Sequence, residues 1–294
     1  GAAHPATARD HDAAAIEAEV DAPAADEVDA LIPLHDVRGS ARLGIFLHRV
    51  LELHDFGDAP ALPARVEAQL GAHGLDPELR DRIAPALQAA IETPIGGTGA
   101  RLADLARGDR LDELDFYLPL RGGFDAPPAA ALSRARLAEV FARHVDADLG
   151  DRLAALPFEP LRGFLTGSID LVFVHAGRYW LADYKSNRLG PTFADYTPAA
   201  LDHAMRENHY LLQASMYALA LHRFLRLRLA GYDYERHMGG FAYLFLRGMT
   251  PANGGATGVF CGRPSAAMIA DLEAALCGEA ALCGEAALCG EASA

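Results

Sequence analysis

The chain has 294 residues, 51% of them hydrophobic and 22% charged, a globular composition with enough apolar residues for one large domain or two small ones. No apolar stretch approaches the length of a membrane span and the Gly-Ala-Ala-His start has no signal-peptide pattern, so we expect a soluble, cytoplasmic protein without a membrane partner. The net charge of −14 is concentrated at the ends, because residues 1–30 contribute −7 and residues 271–294 contribute −5. The −2 that remains for the body does not exclude a nucleic-acid-binding protein.

The N-terminal part is predicted to be a tether followed by helices. Residues 1–38 are rich in Ala, Asp and Pro and have little apolar periodicity, which is typical of a flexible linker. Ser40 is a candidate N-cap for the first helix. The apolar residues that follow it recur on one helical face, and they are Leu43, Phe46, Leu47, Val50 and Leu51. More helix is expected over 62–92, with a break at 71–77, and a strand over 113–120.

The second half of the chain predicts a small sheet flanked by helices. Residues 130–155 have helical periodicity, and two adjacent apolar runs after them are typical of a β-hairpin. Thr197 and Gly231 fit the start and the end of a long helix, and residues 240–248 resemble another strand. This order of elements favours an α/β or α+β domain.

The C-terminal end is a repeat of the hexapeptide Ala-Leu-Cys-Gly-Glu-Ala from Ala275 to Ala292. It contains three of the four cysteines, six residues apart, a spacing that matches no zinc site. We interpret it as a low-complexity continuation of the preceding helix, weakened by each glycine, and expect the tail beyond Glu273 to add little stability. The predicted organisation is a tether over 1–38, a domain over 39–272 and a repeat tail over 273–294.

Lys185 is the only lysine among 26 basic residues. It ends the second strand of the predicted hairpin, in which Leu165–Val174 pairs with Arg178–Lys185. Alternate strand residues share a face, so Asp183 points to the same side as Lys185. Asp170, on the first strand, comes opposite Asp183 if the connecting loop has an even number of residues. An odd loop would put the two carboxylates on opposite faces unless a bulge intervened.

The even register would place two carboxylates and one ammonium group on one patch. A hard divalent cation such as Mg²⁺ relieves the repulsion between such carboxylates and polarises a phosphodiester oxygen. A neighbouring lysine can orient or deprotonate the attacking water, or neutralise charge on the phosphate, whereas an arginine does not give up its proton. Aspartate and lysine are also common near strand ends, so the spacing alone favours an ordinary surface, and the hairpin context with the unique lysine makes a catalytic site an equal alternative.

The chain closely resembles the C-terminal nuclease domain of RecB, the beta subunit of exodeoxyribonuclease V (RecBCD), in the stretch RGFLTGSIDLVFVHAGRYWLADYKSNRLG. The resemblance continues in HYLLQASMYALALHRFLRLRLAGYDYERHMGGFAYLFLRGM, LDELDFYLPL and GIFLHRVLELHDF, and covers about residues 38–272. It implies an α/β, restriction-endonuclease-like PD-(D/E)XK core with a small mixed sheet flanked by helices. It also implies cleavage of DNA with Mg²⁺, or alternatively Mn²⁺, as the cofactor.

The same resemblance assigns roles to individual residues. Asp170 and Asp183 match the metal-binding carboxylates and Lys185 matches the catalytic lysine. Tyr184 would offer its backbone carbonyl to the metal, and His48 would be a histidine ligand carried by a helix.

Three further residues match the family pattern. Asp115 falls where the family has an acid, usually the longer glutamate, so it would support the site or contact DNA, and the sequence leaves open whether its side chain reaches the metal. Gln213 and Tyr217 match a Q-x-x-x-Y motif and share a helix face, where they would support the site or contact DNA. Packing of a helix against the core explains Gln213, Tyr217 and His48 as well. Three arginines follow on the same predicted helix, Arg223, Arg226 and Arg228. They could form a phosphate-binding stripe, but we prefer the interpretation that they lie on a solvated helix face.

The resemblance implies a DNA nuclease that acts in double-strand break repair and recombination with a helicase, in a complex with RecC and RecD subunits. The chain has no G-x-x-x-x-G-K-[ST] loop, so we expect no ATP site. The alternative is a docking module that contacts RecC or RecA and has little nuclease activity of its own. The presence of Asp170, Asp183 and Lys185 together favours the nuclease. An iron–sulfur nuclease is not expected, because no cysteine precedes Cys261.

Overall fold

The computed structural model describes residues 29–120, 134–156 and 164–277. The parts of the predicted tether before residue 29 and of the repeat tail after residue 277 lie outside the described residues. Within the described ranges, no helix is long and apolar enough to cross a membrane.

Three helices open the fold, α1 (Ala41–Leu53), α2 (Leu62–His73) and α3 (Arg80–Glu92). The predicted N-cap of α1 is confirmed, because the amide of Leu43 donates a hydrogen bond of 3.1 Å to Ser40 Oγ. This bond satisfies one of the amides that have no partner inside the helix. The predicted apolar face of α1 is buried along its whole length.

The remaining elements follow in chain order. They are β1 (Pro94–Ile95), β2 (Ala100–Arg101), β3 (Arg110–Pro119), α4 (Arg134–His144), α5 (Ala147–Ala154), β4 (Phe164–His175), β5 (Arg178–Lys185), α6 (Pro198–Glu207), α7 (Tyr210–Arg228), α8 (Tyr234–His237), β6 (Met238–Phe245), β7 (Val259–Gly262) and α9 (Ala266–Cys277). The single helix predicted over 130–155 is therefore two helices within the described residues.

The central sheet has five strands in the order β3-β4-β5-β6-β7. Its neighbours are antiparallel except β5 and β6, which run parallel. Parallel neighbours need a long crossover, and α6, α7 and α8 supply it between β5 and β6. The predicted α/β core, a mixed sheet flanked by helices, is confirmed.

The hairpin of β4 and β5 closes through a two-residue turn, Ala176-Gly177. Both residues have positive φ, 50° and 75°, which is the backbone of a tight type I′ turn. The even register follows, with His175 paired to Arg178 and, at the far end of the ladder, Leu171 paired to Ala182. The even-loop alternative of the sequence prediction is thus the correct one.

Two hydrophobic cores lie on the two faces of the sheet. Strand alternation separates them, because Leu181 and Tyr243 belong to one core, and Ala182 and Leu244 to the other. Helices α4 to α9 contribute side chains to the first core, which we call core A. Helices α1 to α3 contribute to the second, core B.

The long helix predicted from Thr197 to Gly231 is interrupted. The chain forms α6 and α7 instead, and His209 between them has a φ of 55°, which lies in the left-handed region and breaks a right-handed helix. α7 ends at Arg228, before the predicted glycine. The break lets α7 change direction and follow the sheet next to β5 and β6.

The packed part of the chain begins before the predicted boundary at residue 38. Ile32 and Leu34 are fully buried, and a short bridge pairs Leu31 with Thr192. The buried guanidinium of Arg247 donates to the carbonyls of Leu34 at 2.9 Å and Val37 at 2.8 Å. Residues 29–38 are thereby part of the domain rather than of a tether.

The packed part also passes the predicted boundary at residue 272. Leu276 is buried in core A, and Glu273 accepts hydrogen bonds from Arg226 at 3.0 and 3.3 Å, with Arg223 at 3.6 Å. The solvated arginine face predicted for α7 is therefore wrong for these two arginines, because they bind α9 to α7. Arg228 lies 5.8 Å from the Phe224 ring instead.

We expect Leu276→Ala to destabilise the protein, against the sequence-based expectation for the tail. Truncation of a fully buried leucine leaves a cavity and typically costs about 2–5 kcal/mol. Leu227→Ala is the matched control, since Leu227 is also helical but 48% exposed. Thermal unfolding of both variants is the measurement, and equal midpoints for the two would contradict the packing of α9.

Candidate active site

The candidate site lies where β4 and β5 stop pairing. Their last ladder pair is Leu171 with Ala182, although β4 stays paired with β3 as far as Phe164 and β5 stays paired with β6 as far as Lys185. The two strands therefore separate like a fork. On β4, Asp170 is the residue next to Leu171 that is no longer paired with β5. On β5, Asp183 is the residue next to Ala182 that is no longer paired with β4.

A hydrogen bond takes the place of the missing ladder at the fork. The amide of Tyr184 donates to Asp170 Oδ2 at 2.7 Å. The carboxylate thus satisfies a main-chain donor that would otherwise lack a partner on this side of β5. It is also held beside Asp183, close enough for the charge of Asp170 to raise the pKa of Asp183.

Strand β4 changes face at the same level, opposite Glu113 of β3. Ile169 belongs to core A and Leu171 to core B, although residues two apart in a regular strand share a face. Glu113 lies between the ladder pairs that bracket Asp170, and its φ is 53°. Left-handed backbone costs a non-glycine residue roughly 1–2 kcal/mol, and such strain is found most often at functional sites.

The strained segment brings Glu113 into a group with Asp170 and His48. One ligand atom from each of the three residues lies within 4.8 Å of the other two. His48 Nδ1 is 3.4 Å from Asp170 Oδ2, and Ser168 Oγ donates to Glu113 Oε2 at 3.0 Å. Carboxylate oxygens with one imidazole suit a hard or borderline divalent cation, whose ligand atoms lie about 3–5 Å apart when each bond is 2.0–2.6 Å. The donor set fits such a cation.

Lys185 lies on the core A side of the fork, half-buried. Its Nζ pairs with Asp183 Oδ1 and donates to Gln213 Oε1 at 3.0 Å. The same nitrogen is 4.1 Å from the ring centroid of Tyr210 and 4.9 Å from that of Tyr243. Aromatic faces attract an ammonium group, so these neighbours together hold the lysine in one position.

The side chain of Gln213 is itself oriented by its neighbours on α7 and β6. Its Oε1 also accepts from the Tyr243 hydroxyl at 3.1 Å, and its Nε2 donates to the Tyr217 hydroxyl at 2.9 Å. These hydrogen bonds determine which end of the amide faces Lys185. The predicted Q-x-x-x-Y pair therefore supports the lysine from the helix.

Burial and charge repulsion together raise the pKa of Asp183 and the pKa of Glu113. Burial raises the pKa of Asp183 to about 6, the charge of Asp170 acts in the same direction, and Lys185 opposes both. Burial and the charge of Asp170 likewise raise the pKa of Glu113. Because the folded-state pKa of Asp183 exceeds its ordinary 3.8, the stability that its protonation contributes is complete below about pH 4 and is lost as the pH rises through 6.

His48 responds to the same charges in the opposite way. Burial lowers its pKa, but the hydrogen bond and charge of Asp170 together with the charge of Asp183 outweigh burial, so the net pKa is above 6.5. A protonated imidazole cannot bind a cation. Cation binding at the fork would therefore displace a proton from His48 and become tighter as the pH rises.

The structure distinguishes between two neighbouring acids of β3 whose order the sequence left open. Asp115 is exposed and pairs with Ser168, farther along β3, and it is Glu113 that joins His48 and Asp170. The sequence contains both acids in LDELDFYLPL, and a glutamate is the usual residue of the family pattern. The left-handed backbone at Glu113 decides between them, and no local sequence signal predicts it.

Tyr184 contributes through its main chain and through its ring. The amide holds Asp170, and the buried ring packs in core B with its centroid 5.8 Å from that of His48, edge to face. The ring therefore supports the histidine on α1. His48, Asp170, Asp183, Lys185, Gln213 and Tyr217 all come together at the fork as predicted, while their roles in a reaction remain predictions.

The chain matches the PD-(D/E)XK nuclease superfamily over residues 25–281. It is 40% identical over 279 residues to RecBCD enzyme subunit RecB of Mycobacterium tuberculosis (strain ATCC 25618 / H37Rv). The aligned region covers 87% of this chain and 25% of that protein. The chain is 38% identical over 265 residues to the RecB subunit of Escherichia coli K12, covering 89% of this chain and 20% of that protein. The RecB subunit of Haemophilus influenzae is 39% identical over 240 residues, which cover 81% of this chain and 18% of that protein. The chain thus spans a quarter or less of the length of these relatives, and the resemblance found in the sequence is confirmed.

We expect Glu113→Gln to weaken divalent-cation binding about tenfold or more, because it removes one of two carboxylates from the cation-binding group. Asp115→Asn, a matched change two residues away, should alter the affinity less than twofold, since Asp115 lies outside the group. Calorimetric titration of both variants with Mn²⁺ measures the difference. The reverse order of effects would show that Asp115 is the ligand, as the family pattern suggested.

Proposed function

Since this chain belongs to the PD-(D/E)XK nuclease superfamily, we propose that it hydrolyses phosphodiester bonds of DNA in a reaction that depends on Mg²⁺. The observation that carries the proposal is the fork between β4 and β5, with a cation-binding group on one side and a buried Asp183–Lys185 pair on the other. A docking module has no need for both. The names of the relatives support a role within a RecBCD-type complex, with RecC, RecD and DNA as partners and RecA as a further candidate.

His48, Glu113 and Asp170 would hold the cation, with Asp183 and the Tyr184 carbonyl as further candidates next to them. Their oxygen-rich donor set favours Mg²⁺ or Mn²⁺. A cation bound there would polarise the scissile phosphate and stabilise the negative charge that develops on it. The negative charges of Glu113, Asp170 and Asp183 explain why the position would attract a cation. Each charge makes it less favourable for the neighbouring carboxyl groups to ionise, and a bound cation would relieve this repulsion.

Lys185 acts on the attacking water in this proposal. The amine is held by Asp183 and by the side-chain oxygen of Gln213, which leaves one of its three hydrogen atoms for a water molecule or a phosphate oxygen. An ammonium in that position orients a water molecule for attack or neutralises charge on the phosphate, and in its neutral form it accepts the proton of the water.

Tyr217 lies one helical turn after Gln213, with its hydroxyl bound to that amide and its ring 5.5 Å from the ring of Phe116 on β3. Burial raises the pKa of Tyr217 to about 12, and the charge of Asp183 adds to the shift. The hydroxyl is therefore neutral near pH 7 and accepts from Gln213. Its own proton stays available as a hydrogen-bond donor for a phosphate oxygen of DNA, which agrees with the predicted supporting or DNA-contacting role.

We expect the purified chain to degrade linear single-stranded DNA in Mg²⁺ and not in EDTA. Asp170→Asn and Asp183→Asn should lose the activity while keeping a native thermal midpoint. Gel analysis of end-labelled DNA provides the measurement. Cleavage in EDTA, or undiminished cleavage by the Asp170→Asn variant, would be incompatible with the proposed cation-dependent reaction.

We expect Lys185→Arg to fail almost as badly as Lys185→Ala, with the rate lower by on the order of 10² or more in both. The guanidinium of arginine does not fit the position of the amine and does not give up a proton. Arg236→Lys, an exchange at an exposed arginine, is the control and should leave the rate unchanged. If Lys185→Arg retained activity within a few-fold of the parent, positive charge alone would suffice and the proposed role of the amine would be wrong.

A further inference from the structure

A pocket of about 460 Å³ lies beside the fork, and its lining residues are His35, Asp36, Arg38, Gly39 and Arg188. The first four belong to the segment that leads into α1, and Arg188 follows β5. The two segments are bound to each other, because Arg188 Nε donates to the carbonyl of His35 at 3.0 Å. Arg247 strengthens this attachment, since it bonds to carbonyls on both segments, Leu34 and Ser186.

The pocket is positively charged although the whole chain is acidic. Arg38 and Arg188 are exposed, and neither forms an ion pair with an acid of the described residues. Twelve of the other described arginines form such pairs, whereas the two guanidinium groups of this pocket keep their charge available for an anionic ligand. Arg247 lies near Arg188 and is buried against carbonyls, without a carboxylate partner in the described ranges.

The single acid in the pocket does not cancel this charge. Asp36 is bound by both terminal nitrogens of Arg82, and the hydrogen bond with Arg82 lowers the pKa of that carboxyl. The carboxylate is thus neutralised by an arginine from α3. Gly39 adds a favourable contribution, because it lies at the amino end of α1, where the helix dipole is positive.

The position of the pocket relative to the fork follows from two independent chain segments. Along α1, His48 is seven residues after Ala41, and a rise of 1.5 Å per residue makes this about 10 Å. Along the other segment, Arg188 is three residues after Lys185, which spans at most about 10 Å of extended chain. A DNA strand advances about 3.4 Å or more per nucleotide, so a spacing of at most about 10 Å places the pocket within about three nucleotides of the fork.

We propose that the pocket formed by His35, Arg38, Gly39 and Arg188 binds a backbone phosphate of the DNA strand, within about three nucleotides of the bond that is cut. This inference rests on the proposed function, because it assumes that the strand at the fork is DNA. Two guanidinium groups beside a helix amino end match a phosphodiester in charge and hydrogen-bonding geometry. Such an interaction positions the strand and carries no base specificity.

Binding of a fluorescent single-stranded oligonucleotide in EDTA tests the pocket without any cleavage. The double variant Arg38→Ala/Arg188→Ala should bind about tenfold more weakly. The slope of log K against log salt should become shallower by roughly 0.7 for each phosphate that the variant no longer neutralises. Arg236→Ala is the matched control, because it removes an exposed arginine near Arg178, at the opposite end of β5. It should bind like the parent protein.

Arg38→Glu provides a second variant in case loss of the Arg188 hydrogen bond disturbs folding. It changes only an exposed side chain and should weaken binding more than Arg38→Ala. Neutral methylphosphonate linkages, placed one at a time along the oligonucleotide, then locate the phosphate that the pocket binds. One linkage, or two adjacent ones, should weaken binding by the parent protein and have no further effect on the double variant.

Three outcomes would overturn the inference: parent-like binding by the double variant, a loss equally large in Arg236→Ala, or a methylphosphonate effect that persists in the double variant. Competition by inorganic phosphate at millimolar concentration without any position-dependent methylphosphonate effect would also overturn it, by showing a site for a free anion. Cleavage in Mg²⁺ is scored separately. A parent protein that binds as expected but does not cut would refute the proposed nuclease and leave the phosphate pocket standing.

Discussion

The amide of Tyr184 donates to the carboxylate of Asp170 at the point where β4 and β5 stop pairing, and the rest of the site depends on this bond. It replaces a ladder hydrogen bond with a side-chain one, so the strands can separate without leaving a buried donor unsatisfied. The gap between them admits side chains from both layers of the fold. His48 approaches from α1 on one side, and Gln213 and Tyr217 approach from α7 on the other.

The fork concentrates negative charge in a place that is largely closed to water. Asp183 is almost fully buried, and its pKa is raised to about 6 by burial and by Asp170. Lys185 compensates part of this charge, while Glu113 and Asp170 stay on the more open side with His48. The fold thus keeps one acid paired with the lysine and leaves the others to a cation. Neighbouring carboxylates that would destabilise a structural core are consistent with a site built for function.

Arg247 explains how segments far apart in sequence meet around this charge. Its buried guanidinium binds three carbonyls, from the segment before α1 and from Ser186 directly after Lys185. Burying a cation is unfavourable unless its donors are satisfied, and here main-chain oxygens satisfy them without adding another acid. The start of α1, which carries His48, is thereby held against the end of β5, which carries Lys185.

The sequence by itself determined the hairpin, the first helix with its cap, and most of the residues that meet at the fork, while it left the even or odd register of the hairpin to the structure. These features depend on local rules: a two-residue turn, strand alternation and the 3.6-residue period of a helix. Only the tertiary structure decided that Glu113 rather than Asp115 joins His48, that Arg226 binds α9 rather than solvent, and that residues 29–38 pack against the domain. In each case the deciding factor is an interaction between distant segments, or a backbone reversal that such interactions maintain. Their free energy belongs to the packed fold and leaves no periodic signal in the chain.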